Sequence, residues 1–343
     1  MRGGKSMKIK KIILIIIAVL MVIAISVILF KSAENKNNDK IKVVASNFAS
    51  YDFLRAIIGN NENVELTFLL GPGKDSHSYD PTAGDLIKIQ NADLFVYVGG
   101  EMEKWSDKVM SSLDTTGVKV ICIADYVDKI DEKEIDGAEE HEHEDELDSQ
   151  ESESNEHKEK HEHEEGGFDE HIWTSPSNAI KMLNALEKKM EEIDKENSKI
   201  YKENAEKYAS EIKEVDKKIQ EIVDNKIRDR LIFADKMPMQ YFIDYYKLQV
   251  TAAFSGCSTE TEPLASTIAY IENKAKEEKI PVILYIELNN GQVAKTIAED
   301  IGNETEALQI QTLHNVSLDD FKNGETWVSL MTRNLDVLKK ALQ

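Results

Sequence analysis

Alternation of strand-like and helix-like segments is the feature of this chain that most limits its fold. From Ile41 onward, short runs rich in β-branched and aromatic residues alternate with segments whose apolar residues recur every three or four positions. Strands that alternate with helices imply parallel sheets with helical crossover connections. The predicted strands are Lys42–Ser46, Val64–Leu70, Asp93–Val98, Val118–Ala124, Leu231–Ala234, Gln249–Phe254, Val282–Ile286 and Ala307–Ile310.

The middle of the chain is helical over a much longer stretch. Ser175 and Pro176 mark its start, because serine is favoured at a helix N-cap and proline at the first helical position. Helical periodicity continues to about Asn225, with a break predicted near Asp194–Ser198. We therefore predict an α/β protein of two lobes, each a mostly parallel sheet flanked by helices, joined by a long rigid helix. One large doubly wound domain is the alternative, which the helix-rich middle disfavours. The predicted division is 1–40 for an N-terminal anchor and tether, 41–174 for the N-terminal lobe, 175–204 for the connecting helix and 205–343 for the C-terminal lobe.

The N-terminus predicts attachment to a membrane. Basic residues precede Ile12–Phe30, a run of 19 residues without a charge. That length is about enough to span a bilayer and is long for the core of a signal peptide. The basic flank predicts that the rest of the chain faces outward. We expect an uncleaved anchor and a polar tether at Ser32–Lys40, in an extracytoplasmic protein of a bacterial surface or periplasm, with cleavage of residues 1–33 as the alternative.

The acidity of the chain belongs to one segment. Asp128–Glu170 holds 21 of the 64 acidic residues and only 4 of the 42 basic ones, so the remainder is close to neutral. The sequence has no basic patch with interleaved aromatic residues, so it gives no indication of a nucleic-acid partner. The acidic segment also contains five of the eight histidines, and imidazole together with carboxylate suits borderline cations such as zinc. These five histidines, predicted to form a disordered loop that binds metal weakly, are His141, His143, His157, His161 and His163.

Two further histidines lie where strand or loop gives way to helix. His77 follows Gly71-Pro72-Gly73 at the carboxyl end of a predicted strand, which is where open α/β sheets bind ligands. His171 closes the acidic segment just before Ile172-Trp173. The neighbouring Asp169 and Glu170 can accept a hydrogen bond from its imidazole. Both histidines are candidate metal ligands. The alternative for His77 is a solvated or hydrogen-bonded loop histidine, and the alternative for His171 is that it is merely the last histidine of the acidic segment.

These stretches carry a resemblance to a known family. The segments His77-Ser-Tyr-Asp-Pro-Thr-Ala-Gly-Asp-Leu, Ile89 to Gly100 and Asp169-Glu-His-Ile-Trp-Thr-Ser-Pro resemble the zinc and manganese solute-binding proteins of ABC importers, the ZnuA-like group. The resemblance extends from about Ile41 to Gln343. It implies two α/β lobes, a connecting helix and a metal site in the cleft, with His77 and His171 as ligands. An acidic loop rich in histidine is similar to that of the zinc members.

The C-terminal lobe departs from the pattern of that family. Zinc members usually supply a third histidine after the first strand of this lobe, but Phe233–Phe242 contains none. Asp235 is therefore the predicted third ligand and Glu287, after a later strand, the fourth. Glu260, Glu262 and the thiol of Cys257 are alternative ligands, although the two glutamates could equally cap the next helix. We predict that His314 is a surface loop residue.

The resulting hypothesis is a monomeric, membrane-tethered receptor, without catalytic activity, that captures Zn²⁺ and delivers it to a membrane permease. Two histidines and two carboxylates would also suit Mn²⁺, so a manganese receptor is the alternative, and the histidine-rich loop favours zinc. A surface metal buffer or adhesin is a further alternative. A zinc-dependent hydrolase is disfavoured, because the chain has no His-Glu-x-x-His motif. Because imidazole ligands must be neutral, zinc affinity should fall as the pH drops through the titration range of histidine.

Overall fold

A computed structural model describes residues 40–113, 117–138, 167–256, 262–302 and 304–343. The predicted anchor at Ile12–Phe30 and the five histidines from His141 to His163 lie outside these ranges. Among the helices that the structure describes, none combines the length and the apolar character needed to cross a bilayer.

The first sheet is formed by strands rich in valine, isoleucine and phenylalanine, which pack well on a pleated surface. The strand order is β2-β1-β3-β4, and the β1–β3 and β3–β4 pairs are parallel. The strands are β1 (Ile41–Ala45), β2 (Val64–Phe68), β3 (Leu94–Tyr97) and β4 (Lys119–Cys122).

Helices connect these strands and begin at polar caps. The helices are α1 (Phe48–Ile58), α2 (Ala83–Gln90) and α3 (Trp105–Ser112). Asn47 caps α1 by accepting a hydrogen bond from the backbone N–H of Ser50. Thr82 and Asp85 form a capping box at the start of α2. These caps place the loop that carries His77 between the end of β2 and a fixed helix start.

Two helices occupy the middle of the chain. Helix α4 spans Pro176–Ile193 and α5 spans Ser198–Asp224, with a short 3₁₀ turn at Lys195–Asn197 between them. The predicted break near Asp194 is confirmed. The break is stabilised locally, because the Tyr201 hydroxyl donates a 2.6 Å hydrogen bond to the Asp194 carboxylate. The longest helix among the described residues is therefore α5, rather than one connecting helix that begins at Ser175.

A second sheet follows. Its strand order is β6-β5-β7-β8, with all neighbouring pairs parallel. The strands are β5 (Arg230–Lys236), β6 (Gln249–Phe254), β7 (Val282–Ile286) and β8 (Glu306–Ile310). The remaining helices are α6 (Gln240–Tyr246), α7 (Ala265–Glu278), α8 (Gln292–Ile301), α9 (Leu318–Lys322) and α10 (Trp327–Leu342). The predicted α/β class, with two parallel four-stranded sheets flanked by helices and a long helix, is confirmed.

Each sheet has its own apolar cluster. Phe95 and Trp105 are central to the cluster at the first sheet, and Ile232 and Ile283 to that at the second. Every residue of the metal site described below belongs to one compact unit, formed by Lys42–Asn60 and Leu66–Gln343. The boundaries at 41–174, 175–204 and 205–343 stay predictions.

Candidate metal site

Three histidines converge at one point of the fold. A potential ligand nitrogen from each of His77, His171 and His314 lies within 4.8 Å of the other two. The His77 and His314 rings are stacked with centroids 4.9 Å apart, and the His171 ring centroid lies 5.7 Å from that of His77 and 5.3 Å from that of His314. His171 and His314 are buried, and His77 is half-buried. Imidazole nitrogens at this spacing form a ready site for zinc or another borderline metal.

The histidines come from three different connections. His77 lies between β2 and α2, where the Asp75 carboxylate accepts its backbone N–H at 2.8 Å. His171 lies just before the 3₁₀ turn Ile172–Thr174, which leads into α4. His314 follows β8 in the second sheet. His77 and His314 thus occupy the ligand-binding position of an open α/β sheet, beyond the carboxyl end of a strand.

The ring of His171 is fixed from its Nδ1 side. One oxygen of Asp169 accepts the His171 backbone N–H at 2.8 Å and lies 3.2 Å from Nδ1. A carboxylate at Nδ1 directs the Nε2 lone pair toward a metal. Gly256 packs closely against the same ring, and a β-carbon added there would lie 3.4 Å from its Cε1 atom.

Two of the ring nitrogens are buried without a hydrogen-bond partner among the described residues. Nε2 of His77 and Nε2 of His171 have no hydrogen bond within the described part of the chain. A buried polar atom that lacks a partner usually costs about 1–3 kcal/mol. A bound cation would satisfy both atoms, so their orphaned state is an independent sign of a metal site.

The loops that carry His77 and His314 are joined by direct hydrogen bonds. The Gly73 backbone N–H donates to the Val316 carbonyl at 2.9 Å, and the Asn315 side-chain amide donates to the Gly71 carbonyl at 3.1 Å. Ser76 Oγ lies 2.7 Å from Nε2 of His314. The relative position of these two histidines is therefore set before any metal binds.

Two buried tryptophans link the segments that carry the site histidines. Trp173 packs edge-on against His171, with ring centroids 5.5 Å apart, and its indole N–H donates to the Thr312 carbonyl at 3.0 Å. The Trp327 indole N–H donates in turn to the Trp173 carbonyl at 2.9 Å. Both tryptophans are fully buried. They connect the His171 segment to the segment that carries His314.

The two carboxylates predicted as ligands are not brought into this group. The Asp235 side chain is buried and accepts from the Lys236 backbone N–H at 2.9 Å and from the Asn289 amide at 2.6 Å. Glu287 is also buried, and both its oxygens accept hydrogen bonds from the loop Thr312–Asn315. Glu260 lies outside the described residues.

The prediction that His314 is a surface loop residue is wrong. His314 is 5 % exposed and supplies the third imidazole. The signal that could have found it is its place four residues after a predicted parallel strand, which is the criterion that selected His77. Phe233–Phe242 contains no histidine, and the third imidazole of the group comes instead from the segment after β8.

Charged neighbours divide the three imidazoles into two kinds. Burial, His171 and the Lys236 ammonium lower the pKa of His77 to about 4. Burial, with the same ammonium and the other two rings, places the pKa of His314 well below its usual range. Burial also lowers the pKa of His171, but Asp169, Glu170 and Glu132 raise it, and the net pKa is above the ordinary value. Lys236 is itself buried and lies 3.2 Å from the Asp75 carboxylate.

These pKa directions predict how zinc binding depends on pH. The lowered pKa values leave His77 and His314 neutral at pH values where His171, whose pKa is raised, is still protonated, so there only His171 must lose a proton to bind metal. We expect the affinity to be constant above the pKa of His171 and to fall about tenfold per pH unit below it, since one proton is exchanged. Zinc affinity measured against a competing chelator from pH 8 to 5 tests this. A slope near three protons, or no slope, contradicts it.

Proteins similar to this chain are named for zinc binding and zinc uptake. The chain is 29 % identical over 310 residues to the zinc-binding lipoprotein AdcA of Streptococcus pneumoniae, covering 90 % of this chain and 57 % of AdcA. It therefore spans little more than half the length of that relative. It is 28 % identical over 312 residues to the high-affinity zinc uptake system protein ZnuA of Bacillus subtilis, covering 91 % of each.

Solved structures agree in fold. The Zn(II)-bound ZnuA-like domain of S. pneumoniae AdcA matches with a TM-score of 0.67 at 24 % identity, covering 88 % of this chain and 99 % of the domain. A Mn-bound periplasmic metal-binding protein from Candidatus Liberibacter asiaticus matches with a TM-score of 0.66 at 23 % identity, covering 87 % of this chain and 100 % of that protein. The sequence model of the family described as "Zinc-uptake complex component A periplasmic" matches residues 43–341, and the chain belongs to this ZnuA family.

Proposed function

We propose that this chain captures Zn²⁺ at His77, His171 and His314 and delivers it to the permease of an ABC importer. The observation that carries the proposal is the convergence of three imidazoles, with ligand atoms within 4.8 Å of one another. Two of these nitrogens are buried and otherwise unpartnered within the described residues. The names of the similar proteins, a zinc-binding lipoprotein and a zinc uptake protein, support the same cargo.

Zinc is favoured over manganese by the chemistry of the donors. Imidazole nitrogen suits zinc, whereas manganese prefers carboxylate and carbonyl oxygen. The set predicted from the sequence held two carboxylates and left the choice open. A set of three imidazole nitrogens favours zinc by itself, so the preference no longer depends on the histidine-rich acidic loop. A manganese receptor remains the alternative, since a Mn-bound protein shares the fold.

We further propose that His141, His143, His157, His161 and His163 form a weak collector for zinc. These residues lie outside the described ranges, but both flanks of their segment are described. Asp131 and Phe168 pair as an antiparallel bridge, and the Asp169 backbone N–H donates to the Ile130 carbonyl at 3.0 Å. The segment thus leaves and returns at one place, a few residues before His171. Histidines in this segment would raise the local concentration of zinc near the site.

The setting that we propose is extracytoplasmic, with attachment to the membrane through the predicted anchor at Ile12–Phe30. Lipoprotein and uptake proteins among the relatives support a surface location and a permease partner. A surface metal buffer would bind zinc equally well but would not support uptake. Three histidines with an open fourth position also occur in catalytic zinc sites. The family is one of zinc uptake, however, and we propose no catalysis.

Equilibrium dialysis of the chain against zinc and manganese tests the proposal. We expect one tight zinc site with additional weak ones, and weaker binding of manganese. A variant that lacks residues 139–165 should lose the weak sites and keep the tight one, because the three converging histidines are intact. Tighter binding of manganese than of zinc would contradict zinc as the cargo. Loss of the tight site in the deletion variant would contradict the role of the five histidines as a separate weak collector. Zinc uptake is also compared between cells with and without the protein. Reduced uptake in cells that lack it is expected of a receptor, and unchanged uptake is expected of a surface buffer.

A further inference from the structure

The loop that carries His314 is wrapped around a buried carboxylate. Glu287 Oε2 accepts the Thr312 backbone N–H at 2.8 Å, and Oε1 accepts the His314 backbone N–H at 2.8 Å and the Thr312 hydroxyl at 2.8 Å. The Asn315 backbone N–H lies 3.4 Å from Oε1. The carboxylate is 5 % exposed at the residue level and comes from the end of β7, beside β8. Both its oxygens are therefore engaged by a single loop.

The backbone of this loop has an uncommon conformation that brings its N–H groups together. Leu313 has a φ of +59°, in the left-handed region, although it is not glycine and is buried. A side chain in this region costs roughly 1–2 kcal/mol. The turn at Leu313 directs the N–H groups on either side of it to one point, which makes a site for an anion. The Glu287 carboxylate is the anion that occupies it.

The same loop positions the third imidazole. His314 is in the middle of the N–H cluster, so its backbone cannot shift without breaking a charge-assisted hydrogen bond, which is among the stronger kinds. Its ring is then presented to His77 and His171. We propose that Glu287 is a positioning residue that holds His314 in place for the metal and does not itself bind it. This inference rests on the proposed zinc site.

A double-mutant cycle with His314 tests this role. We expect Glu287→Gln to lower zinc affinity by about 10- to 100-fold, the usual effect of losing an outer-shell partner. Glutamine has the same shape but loses the charge, and its NH₂ group faces N–H donors. In a His314→Ala background, Glu287→Gln should have no further effect on zinc affinity, because the ring that it positions is gone.

The outcomes separate the two proposals. If the unmodified chain binds no zinc, the proposed function fails. If zinc binds and the effects of Glu287→Gln and His314→Ala multiply, Glu287 contributes to the metal directly and the positioning role is wrong. Asp235→Asn is the matched control, since it is the other buried carboxylate at the end of a strand in this sheet. It should leave the affinity within about threefold, as expected for a site that does not couple.

A second variant guards against misfolding of Glu287→Gln. Thr312→Val removes only the hydroxyl, which lies 2.8 Å from Oε1 and 3.0 Å from Oε2 of Glu287 and accepts the His314 backbone N–H at 3.4 Å, and it keeps the backbone N–H groups. We expect zinc affinity to fall by up to about tenfold, the size of one hydrogen bond. This loss too should vanish in the His314→Ala background. Retention of the loss there would overturn the positioning role.

Discussion

We expect His171→Ala to lower zinc affinity by more than about a hundredfold, because loss of an outer-shell partner alone costs 10- to 100-fold. His171 is fully buried, and its Nε2 atom has no partner among the described residues. Alanine at His314 should have a comparable effect, whereas sequence reasoning alone would have predicted none. Competition with a chelator of known affinity measures these changes.

Asp235→Asn is the decisive control for this prediction. The sequence hypothesis makes Asp235 a ligand, and the structure engages its carboxylate with Asn289 and the Lys236 backbone. Near-normal zinc affinity in Asp235→Asn, with a loss in His314→Ala, supports the three-histidine site. The reverse pattern restores the ligand set predicted from the sequence and removes His314 from it.

We expect Asp52→Ala to destabilise the metal-free protein by about 3 kcal/mol, near the lower end for breaking a buried ion pair. Asp52 is 1 % exposed and accepts hydrogen bonds from Arg55 at 2.5 Å, from the Trp327 backbone N–H at 2.7 Å and from the Tyr208 hydroxyl. It thereby connects α1, α5 and α10. Alanine would leave the tyrosine hydroxyl and the arginine without their shared acceptor. Arg55 is partly exposed, which moderates the loss.

Urea unfolding of the metal-free chain measures this effect. Glu203→Ala, in the helix α5 that Asp52 contacts through Tyr208, is a matched control, because the ion pair of Glu203 with Lys199 is largely exposed. Such exposed pairs contribute about 0.2–1 kcal/mol. An Asp52→Ala variant as stable as the control would show that the buried carboxylate does not hold the three helices together.

Local patterns account for most of the predicted elements. Strands such as Val282–Ile286 and Gln249–Phe254 have the predicted bounds, because apolar β-branched runs end at clear breakers. The helix break at Asp194 was also predictable, since the apolar spacing is interrupted there. Helix α9 (Leu318–Lys322) was missed, because five residues are too few for a periodic pattern to emerge.

The site was predictable only in part, for a physical reason. His77 and His171 stand out because they adjoin local signals, a glycine-rich loop and a helix start. Whether a carboxylate binds a metal or accepts hydrogen bonds from the protein depends on which donors the fold brings to it. Those donors are distant in sequence. Asp235 meets Asn289, and Glu287 meets the Thr312–Asn315 loop. His314 lacks a conspicuous local motif and has only the weaker signal of its place four residues after a predicted strand, so its position beside the other two rings had to come from the fold.

The edge contact between Trp173 and His171 gives the protein an internal optical reporter. The chain contains three tryptophans, and Trp173 is the one in ring contact with a histidine of the candidate site. Protonation of His171, or coordination of a metal by it, changes the charge beside this indole. The emission of Trp173 should therefore follow the state of the site without any added dye, and a Trp173→Phe variant should lose that signal.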